Sequence, residues 1–528
     1  MAEGYDYIII GGGSAGCVLA ARLSEDPAAT VCLLEAGGGD RNPLYHLPAG
    51  FAKMTKGLGS WGWETVPQRH MRGRVFNYTQ AKVIGGGSSL NAQIYTRGNA
   101  QDYDDWRQMG CDGWGYADVL PYFRKAEDND THDNPYHGKG GPLGVSQPVA
   151  PLPICEAYFE AAAALGIPRN MDVNGARQDG VAYYQLTQRN ARRSSTAMAY
   201  LAPNRGRANL TLRTGAHVRR ILVEAGRATG VELIDGTRVR ATTEVILSAG
   251  AIGSPRLLQL SGIGPADHLT DLGIPVILDR PQVGANLQDH LDLYCISELN
   301  GPYSYDRYAK PHMAALAGLQ YLFTRKGPVA SSLFETGGFW YADQDARSPD
   351  IQFHLGLGTG IEKGVATMPQ GGVTLNSCHL RPRSRGSVRL ASSDPAQAPL
   401  IDPNYLQDPY DRAMSIRGLK LTQAIMAQAP LAKFVLAERL PGPDVTTDED
   451  YFSFICAHSK TSHHCAGTCR MGPDPEAVVD TRLRLNGITG LRVVDNSIMP
   501  TVISSNTNAA AIMIGEKAAD MIRQDARG

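Results

Sequence analysis

Residues 5–26 read YDYIIIGGGSAGCVLAARLSED. An apolar run ending at Ile10 meets three glycines, and an alanine- and leucine-rich stretch follows. That order is strand, tight turn, helix. Gly11, Gly13 and Gly16 fit the pattern G-x-G-x-x-G. The first glycine makes the turn, the second lets backbone approach a pyrophosphate, and the third lets helix and strand pack closely. Ser14 and Ala15 then open a helix whose free N–H groups and dipole favour an anion. The next apolar run, TVCLLEAGGG at 30–39, reads as a second buried strand that ends in Glu35, 19 residues beyond Gly16. A carboxylate at that point accepts hydrogen bonds from ribose hydroxyls. A bare strand–helix turn would explain the glycines but not the acid. The fold class is therefore α/β, with a dinucleotide-binding unit at the N-terminus.

The rest of the 528-residue chain is too long for one simple core. It is 43% hydrophobic and 20% charged, with 58 glycines. That composition is globular and favours turns and close backbone approaches over a helical bundle. A net charge of −1 gives no nucleic-acid surface. No run of 18 apolar residues predicts a transmembrane segment, and the first residues lack a secretory pattern. Nine sparse cysteines fit a reduced protein better than a disulfide scaffold. The expected location is cytoplasmic, with room for loose membrane attachment.

Along the chain, residues 40–150 read as irregular. Residues 209–249 alternate apolar and polar around Asp235-Gly236, which predicts antiparallel strands joined by a tight turn. Residues 315–324 read as helix and 350–392 as strands. The stretch from Asn508 reads as an amphipathic helix. A second glycine run, AKVIGGGSSLNAQIYTRGN at 81–99, offers another close approach, with Ser88, Ser89 and Asn91 as hydrogen-bonding groups. Two glycine-lined contacts suit a long two-part cofactor such as FAD, although an ordinary turn-rich loop has the same composition.

With these stretches stand GAIGSPRLLQLSGIG (250–264), VGANLQDH (283–290), GTCRMG (467–472) and LRVVDNSIMPTVISSNTNAAAIMIGEKAADMI (491–522). In kind and order they resemble the glucose–methanol–choline oxidoreductases over nearly the whole chain. Within that family the chain is most similar to bacterial choline-dehydrogenase-type alcohol dehydrogenases. PLYHLPAGFAKMTKG (43–57) and RKGPVASSLFETGGFWY (325–341) resemble the L-sorbose dehydrogenase branch.

The resemblance implies a two-domain arrangement like that of p-hydroxybenzoate hydroxylase. A Rossmann-like FAD domain (1–155, 205–300 and 466–528) is interleaved with a substrate domain on a large antiparallel sheet (156–204 and 301–465). It implies FAD along Gly11, Gly13, Ser14, Ala15, Gly16, Glu35, Ala36, Val83, Gly86, Ser88, Asn91, Ala92, Val218, Asp495, Asn508 and Ala509. Leu90 stands where some relatives carry a flavin-linking histidine, which implies non-covalent FAD. The implied reaction is oxidation of a primary alcohol or sugar-type polyol, with hydride passing to flavin N5. His464 takes the base position and Asn506 the second active-site position. The implied acceptor is a quinone or an artificial dye, alternatively O2 in an oxidase; some relatives of this fold act as lyases or photodecarboxylases instead. A neutral histidine suits removal of the hydroxyl proton, and an amide N–H suits the developing alkoxide.

SHHCAGTCRMG (462–472) admits two other readings. A metal site could use His463, His464, Cys465 and Cys469, but adjacent residues rarely share an ion and paired C-x-x-C spacing is missing, so no metal is expected. A Cys465 nucleophile would need a base and an oxyanion hole that no local motif supplies. Cys465 departs from the proline usual in the family, and His463 from a frequent aromatic. Both join Phe334, Glu335, Phe353 and His354 as candidate substrate-pocket residues. Trp61 and Trp63 are candidates to pack near the flavin.

Overall fold

The apolar run of the opening stretch forms the strand Glu3–Ile10, at the centre of a seven-stranded sheet. The computed structural model describes residues 3–55, 57–359, 367–368 and 370–527. Val31–Glu35 and Arg238–Leu247 flank the central strand, both parallel to it. Leu210–Thr214 extends the sheet on one side, and Leu491–Val493 pairs in parallel with Arg238–Leu247. Parallel strands covered on both faces need no apolar–polar alternation, and VCLLE is buried at all five positions. Val218–Glu224, Arg227–Leu233 and Arg238–Leu247 complete the sheet as an antiparallel meander. Its second turn is Asp235-Gly236, where Gly236 adopts φ +85°, the conformation that makes Asp-Gly a hairpin pair.

Two helices from opposite ends of the chain cross on this sheet. Ser14–Leu23 follows the first glycine turn, and Asn508–Asp525 closes the chain. A Cβ on Gly515 would lie 3.0 Å from both Ala15 O and Val18 Cβ, so glycine lets the two helices cross closely. Arg22 Nη2 meets the fully buried Glu516 at 2.8 Å, and Tyr200 donates to the same carboxylate at 2.8 Å.

The second sheet is antiparallel throughout. Its order is Val435–Leu440, Leu291–Leu299, Gly372–His379, Ile351–Gly356, Thr336–Trp340, Gly180–Tyr183. Strand Ile351–Gly356 alternates: Ile351, Phe353 and Leu355 enter an apolar core with Pro153–Ala164 and the end of Pro409–Met426, while Gln352 and His354 face the opposite way. The α/β class with an interleaved antiparallel-sheet unit stands as read. The helix expected at 315–324 runs Pro311–Thr324 on the outside of the molecule.

Two details differ from the sequence reading. The stretch taken as irregular holds two regular helices, Ala100–Gln108 and Tyr116–Ala126. The first opens on a capping box in which Asn99 and Asp102 satisfy each other's backbone N–H groups, a signal visible as N-x-x-D. The strand Leu291–Leu299 was assigned with the first domain, but it hydrogen-bonds in the second sheet. Its run LDLYCISEL is buried at all nine positions and lacks a clean apolar–polar alternation, which conceals the change of sheet.

Candidate active site

A long cleft runs between the glycine turns and the second sheet. Gly11 adopts φ +101°, and a Cβ there would lie 2.4 Å from Ser248 O. A Cβ on Gly16 would lie 1.9 Å from Gly11 O, the tight helix–strand contact expected of the third glycine. Gly13 meets nothing nearer than 3.8 Å, so its backbone stays open to the cleft. The second glycine run packs directly on the first. Gly85 N–H donates to Gly12 O at 2.7 Å, and a Cβ on Gly86 (φ +54°) would lie 2.6 Å from Gly13 Cα. Ser14 Oγ donates to Asn508 Oδ1 at 2.7 Å, so the N-termini of the first and last helices converge. Two positive helix ends thus face one space.

Glu35 accepts from Gly12 N–H (2.8 Å) and Gly37 N–H (2.7 Å), which hold its carboxylate at the cleft wall. Burial nevertheless pushes its pKa up to about 7 against those two donors. Asp495 accepts from Gly250 N–H at 2.9 Å and Ser254 Oγ at 2.6 Å. Gly11, Gly13, Ser14, Ala15, Glu35, Ala36, Gly86, Asn91, Ala92, Val218, Asp495 and Asn508 all line the cleft. Open glycine backbone, two converging helix ends and a ribose-type carboxylate at one end fit FAD. Leu90 also lines the cleft, with an aliphatic side chain that cannot link to a flavin. Gly16, Val83, Ser88 and Ala509 lie behind the wall. Ser88 Oγ donates to Gly85 O at 2.6 Å and shapes the turn, and Ala511 rather than Ala509 reaches the cleft. Trp61 stacks on Trp63 at 4.9 Å and meets His217 edge-on at 5.2 Å, placing the pair beside His217 and Lys82.

At the other end stand His464 and Asn506. His464 Nε2 lies 3.0 Å from Asn506 Nδ2, and its Nδ1 lies 2.9 Å from His290 Nδ1. The hydrogen-bond chain fixes every proton. Leu380 O, 3.0 Å from His290 Nε2, can only accept, so Nε2 carries the hydrogen. Burial lowers the His290 pKa to about 3, so the ring is neutral and its Nδ1 is bare. His464 Nδ1 must then be the donor. Burial, with repulsion from His290, His354 and His463, holds the His464 pKa well below the usual histidine range. Its Nε2 therefore carries no hydrogen and accepts from Asn506 Nδ2 at the cleft wall. Asn506 Oδ1 accepts from Gln352 Nε2 (2.8 Å) and Thr96 Oγ1 (3.1 Å), which turns the Asn506 amide N–H groups toward His464 Nε2.

The backbone holds this arrangement. His464 N–H donates to Asp289 Oδ1 at 2.7 Å, while Asp289 Oδ2 accepts from Tyr78 (2.8 Å), Thr461 (2.5 Å) and Tyr405. His463 adopts the left-handed φ +61°, which lets consecutive imidazoles both face the cleft. His463 is open to the cleft yet enclosed deep in the molecule, and that enclosure pulls its pKa down to about 4. Cys465 lines the cleft beside Gln80, and burial followed by Asp289 raises its thiol pKa well above normal, so it stays protonated. Cys469 is in the core. The imidazole–imidazole bond and the buried Cys469 leave no shared ion position in SHHCAGTCRMG.

Of the substrate candidates, Phe334 and His354 join His463 and Cys465 on the cleft wall. Glu335 and Phe353, the immediate chain neighbours of Phe334 and His354, are outside the cleft lining. Glu335 is pushed up to about 7 by burial, and Phe353 is in the apolar core. His354 lines the cleft, and its buried Nε2 has no hydrogen-bond partner among the described residues, leaving capacity that a ligand can satisfy. Residues without an assigned role in the sequence reading also shape the site: His290, Asp289, Gln352 and Thr96. Asp289-His290 stood in the quoted VGANLQDH, but their partners lie 174 and 175 residues away.

Elsewhere His132, His137 and Asp172 bring potential ligand atoms within 4.8 Å of one another. His137 Nδ1 lies 2.9 Å from Glu127 and Nε2 3.0 Å from Asp172. Burial opposes charge on that ring, but the two carboxylate bonds outweigh it and raise its pKa. His137 thereby sits between two carboxylates that favour its protonated form and already occupy both ring nitrogens.

Comparison with known proteins agrees with the geometry. Family models described as GMC oxidoreductase match residues 5–292 and 382–515. The chain is 43% identical to the alcohol dehydrogenase [acceptor] of Pseudomonas putida, over 98% of this chain and 95% of that protein. It is 42% identical to the mitochondrial choline dehydrogenase of Homo sapiens, over 98% of this chain and 90% of that protein. Among solved structures, pyridoxine 4-oxidase from Mesorbium loti superposes with a TM-score of 0.89 at 35% identity, covering 99% of each chain. The chain belongs to the GMC oxidoreductase family, whose members are FAD-binding flavoproteins.

Proposed function

We propose that the protein is an FAD-dependent dehydrogenase oxidising an uncharged primary alcohol with a largely apolar body to its aldehyde, with His464 as base. The observation that carries this reading is the unprotonated Nε2 of His464, fixed by the chain from Leu380 O through His290 and paired in the cleft with an N–H of Asn506 that a substrate oxygen would take over. The alcohol hydroxyl donates its proton to that nitrogen. An N–H of Asn506 then faces the oxygen as negative charge develops, a contribution of about 100- to 1,000-fold for a preorganised donor. Bound FAD supplies the hydride acceptor.

Substrate shape is read from the wall next to His354. Phe51 meets Phe334 edge-on at 5.9 Å, and Phe334 meets His354 at 6.4 Å. Met54 and Leu90 continue this apolar surface. The nearby carboxylate, Asp292, is engaged by Ser462 Oγ (2.8 Å), Asn376 Nδ2 (3.3 Å) and Lys460 Nζ (3.8 Å), so it is poorly placed to bind a cationic substrate. This wall supports an apolar alcohol over a polyol. The name of one full-length relative, alcohol dehydrogenase [acceptor], supports an acceptor such as a quinone or dye, while other full-length relatives are named oxygen-dependent choline dehydrogenases, so the acceptor is read from experiment.

Anaerobic mixing of the yellow holoenzyme with linear, aromatic and sugar alcohols tests the proposal. Linear or aromatic primary alcohols should bleach the flavin, and His464→Ala should slow bleaching by about 100- to 10,000-fold. An unchanged rate in that variant would remove His464 from the reaction. Fast peroxide release on admitting oxygen would favour an oxidase.

A further inference from the structure

The helix Pro311–Thr324 carries an apolar face that no other described part of the molecule covers. Its inner side buries Ala317 and Tyr321, with Tyr321 packed against Ala191, Ala330, Leu47 and Val329. On the outer side Leu316, Leu319, Leu322 and Phe323 are 59%, 53%, 67% and 82% exposed. At about 100° per residue these four share roughly one third of the helix circumference with Ala315. Contiguous apolar surface of this kind marks an interaction site.

The surrounding charge indicates the partner. Between residues 307 and 326 the sequence holds Arg307, Lys310, Arg325 and Lys326, and no Asp or Glu. All four are exposed, and none is ion-paired among the described residues. This local excess stands out in a chain of net charge −1. We propose that this face seats the protein on a bilayer surface containing anionic lipid. Leucine and phenylalanine side chains enter the boundary of the acyl region. The basic side chains at both helix ends reach lipid phosphates, as long cationic side chains do at such boundaries. The face offers aliphatic contact and charge rather than a set of fixed hydrogen bonds, which suits a fluid surface better than a protein partner.

The position ties the face to the cleft. Below the helix, the turns Pro48–Gly50 and Pro328–Ala330 pack together, and the chain runs from them into Phe51 and Phe334. Docking therefore places the apolar end of the cleft near lipid. The inference holds whichever acceptor the enzyme uses.

Sedimentation of the holoenzyme with vesicles of phosphatidylcholine, with or without phosphatidylglycerol, tests it. Binding should require the anionic lipid and weaken with salt. Leu319→Glu/Phe323→Glu should lower the partition coefficient at least about tenfold, since it puts charge on the apolar face. Lys310→Glu/Arg325→Glu/Lys326→Glu should lose at least about fivefold per basic residue removed. Both variants should keep flavin absorbance and dye-coupled oxidation of a small alcohol without vesicles, which shows that they fold. The proposal is overturned if the wild type sediments with neither vesicle, if binding ignores lipid charge, or if the variants bind like wild type. It is also overturned if the wild type is a dimer that Phe323→Glu splits without any vesicle binding, since the face would then be a contact between two copies of the chain.

Discussion

At His464 the chemistry depends on which ring nitrogen carries the proton, and that choice is made two residues away. Leu380 O orients His290, and His290 orients His464. His290 is thus a positioning residue. His290→Phe keeps a buried ring but removes the acceptor for His464 Nδ1–H, so the imidazole loses its fixed tautomer. We expect flavin reduction to fall by about tenfold or more while alcohol KM changes little, a split that separates positioning from folding damage. Because burial depresses the His464 pKa, the ring stays neutral and competent below 6.5. The wild-type reduction rate should therefore hold as pH falls through 6.5 and decline only at lower pH. A rate that halves near 6.5 would place an unperturbed histidine at the site. Motif and order singled out His464 and Asn506 as candidates, because these residues lie inside continuous signature stretches. The role of His290 was not legible, because a tautomer is set by contacts that meet only after folding.

Among the elements, the strand Ile351–Gly356 shows what pattern carries and what it omits. IQFHLG alternates visibly, so Phe353 and His354 had to face opposite ways. The side of the sheet bounded by the cleft was decided by the helices Pro153–Ala164 and Pro409–Met426, which cover the Phe353 face. Phe334 likewise lines the cleft while Glu335 does not. The glycine turns were more legible, since each glycine answers a local steric demand. Gly86 joins two elements through backbone alone, and Gly86→Ala combines φ +54° with a 2.6 Å clash on Gly13 Cα. That variant should purify with little bound flavin, read as a loss of the 450 nm to 280 nm absorbance ratio, while far-UV circular dichroism stays near wild type. Full flavin content would show that the two turns can separate without harm to the site.

Over the whole molecule, the α/β unit, the antiparallel sheet and their interleaving were legible because glycine turns, alternation and signature order recur along the chain. The crossover at Leu291–Leu299 was not, since a strand covered on both faces looks alike in either sheet. Nor was the clamp at Glu516, which gathers Arg22, Lys125 and Tyr200 around one fully buried carboxylate. Removing that carboxylate leaves Arg22 to the exposed Glu25 and Lys125 to Asp520, so Glu516→Ala should cost about 1–3 kcal/mol. Urea unfolding of the holoenzyme would measure it, and a loss below about 0.5 kcal/mol would show the cluster to be no stronger than a surface ion pair. The bond from Ser14 to Asn508 spans 494 residues and closes the cleft where the two helix ends meet. On the ribosome, the N-terminal glycine turn therefore waits for almost the entire polypeptide before its counterpart emerges. Holoenzyme yield in a cell should accordingly depend on the supply of free cofactor after synthesis rather than during it.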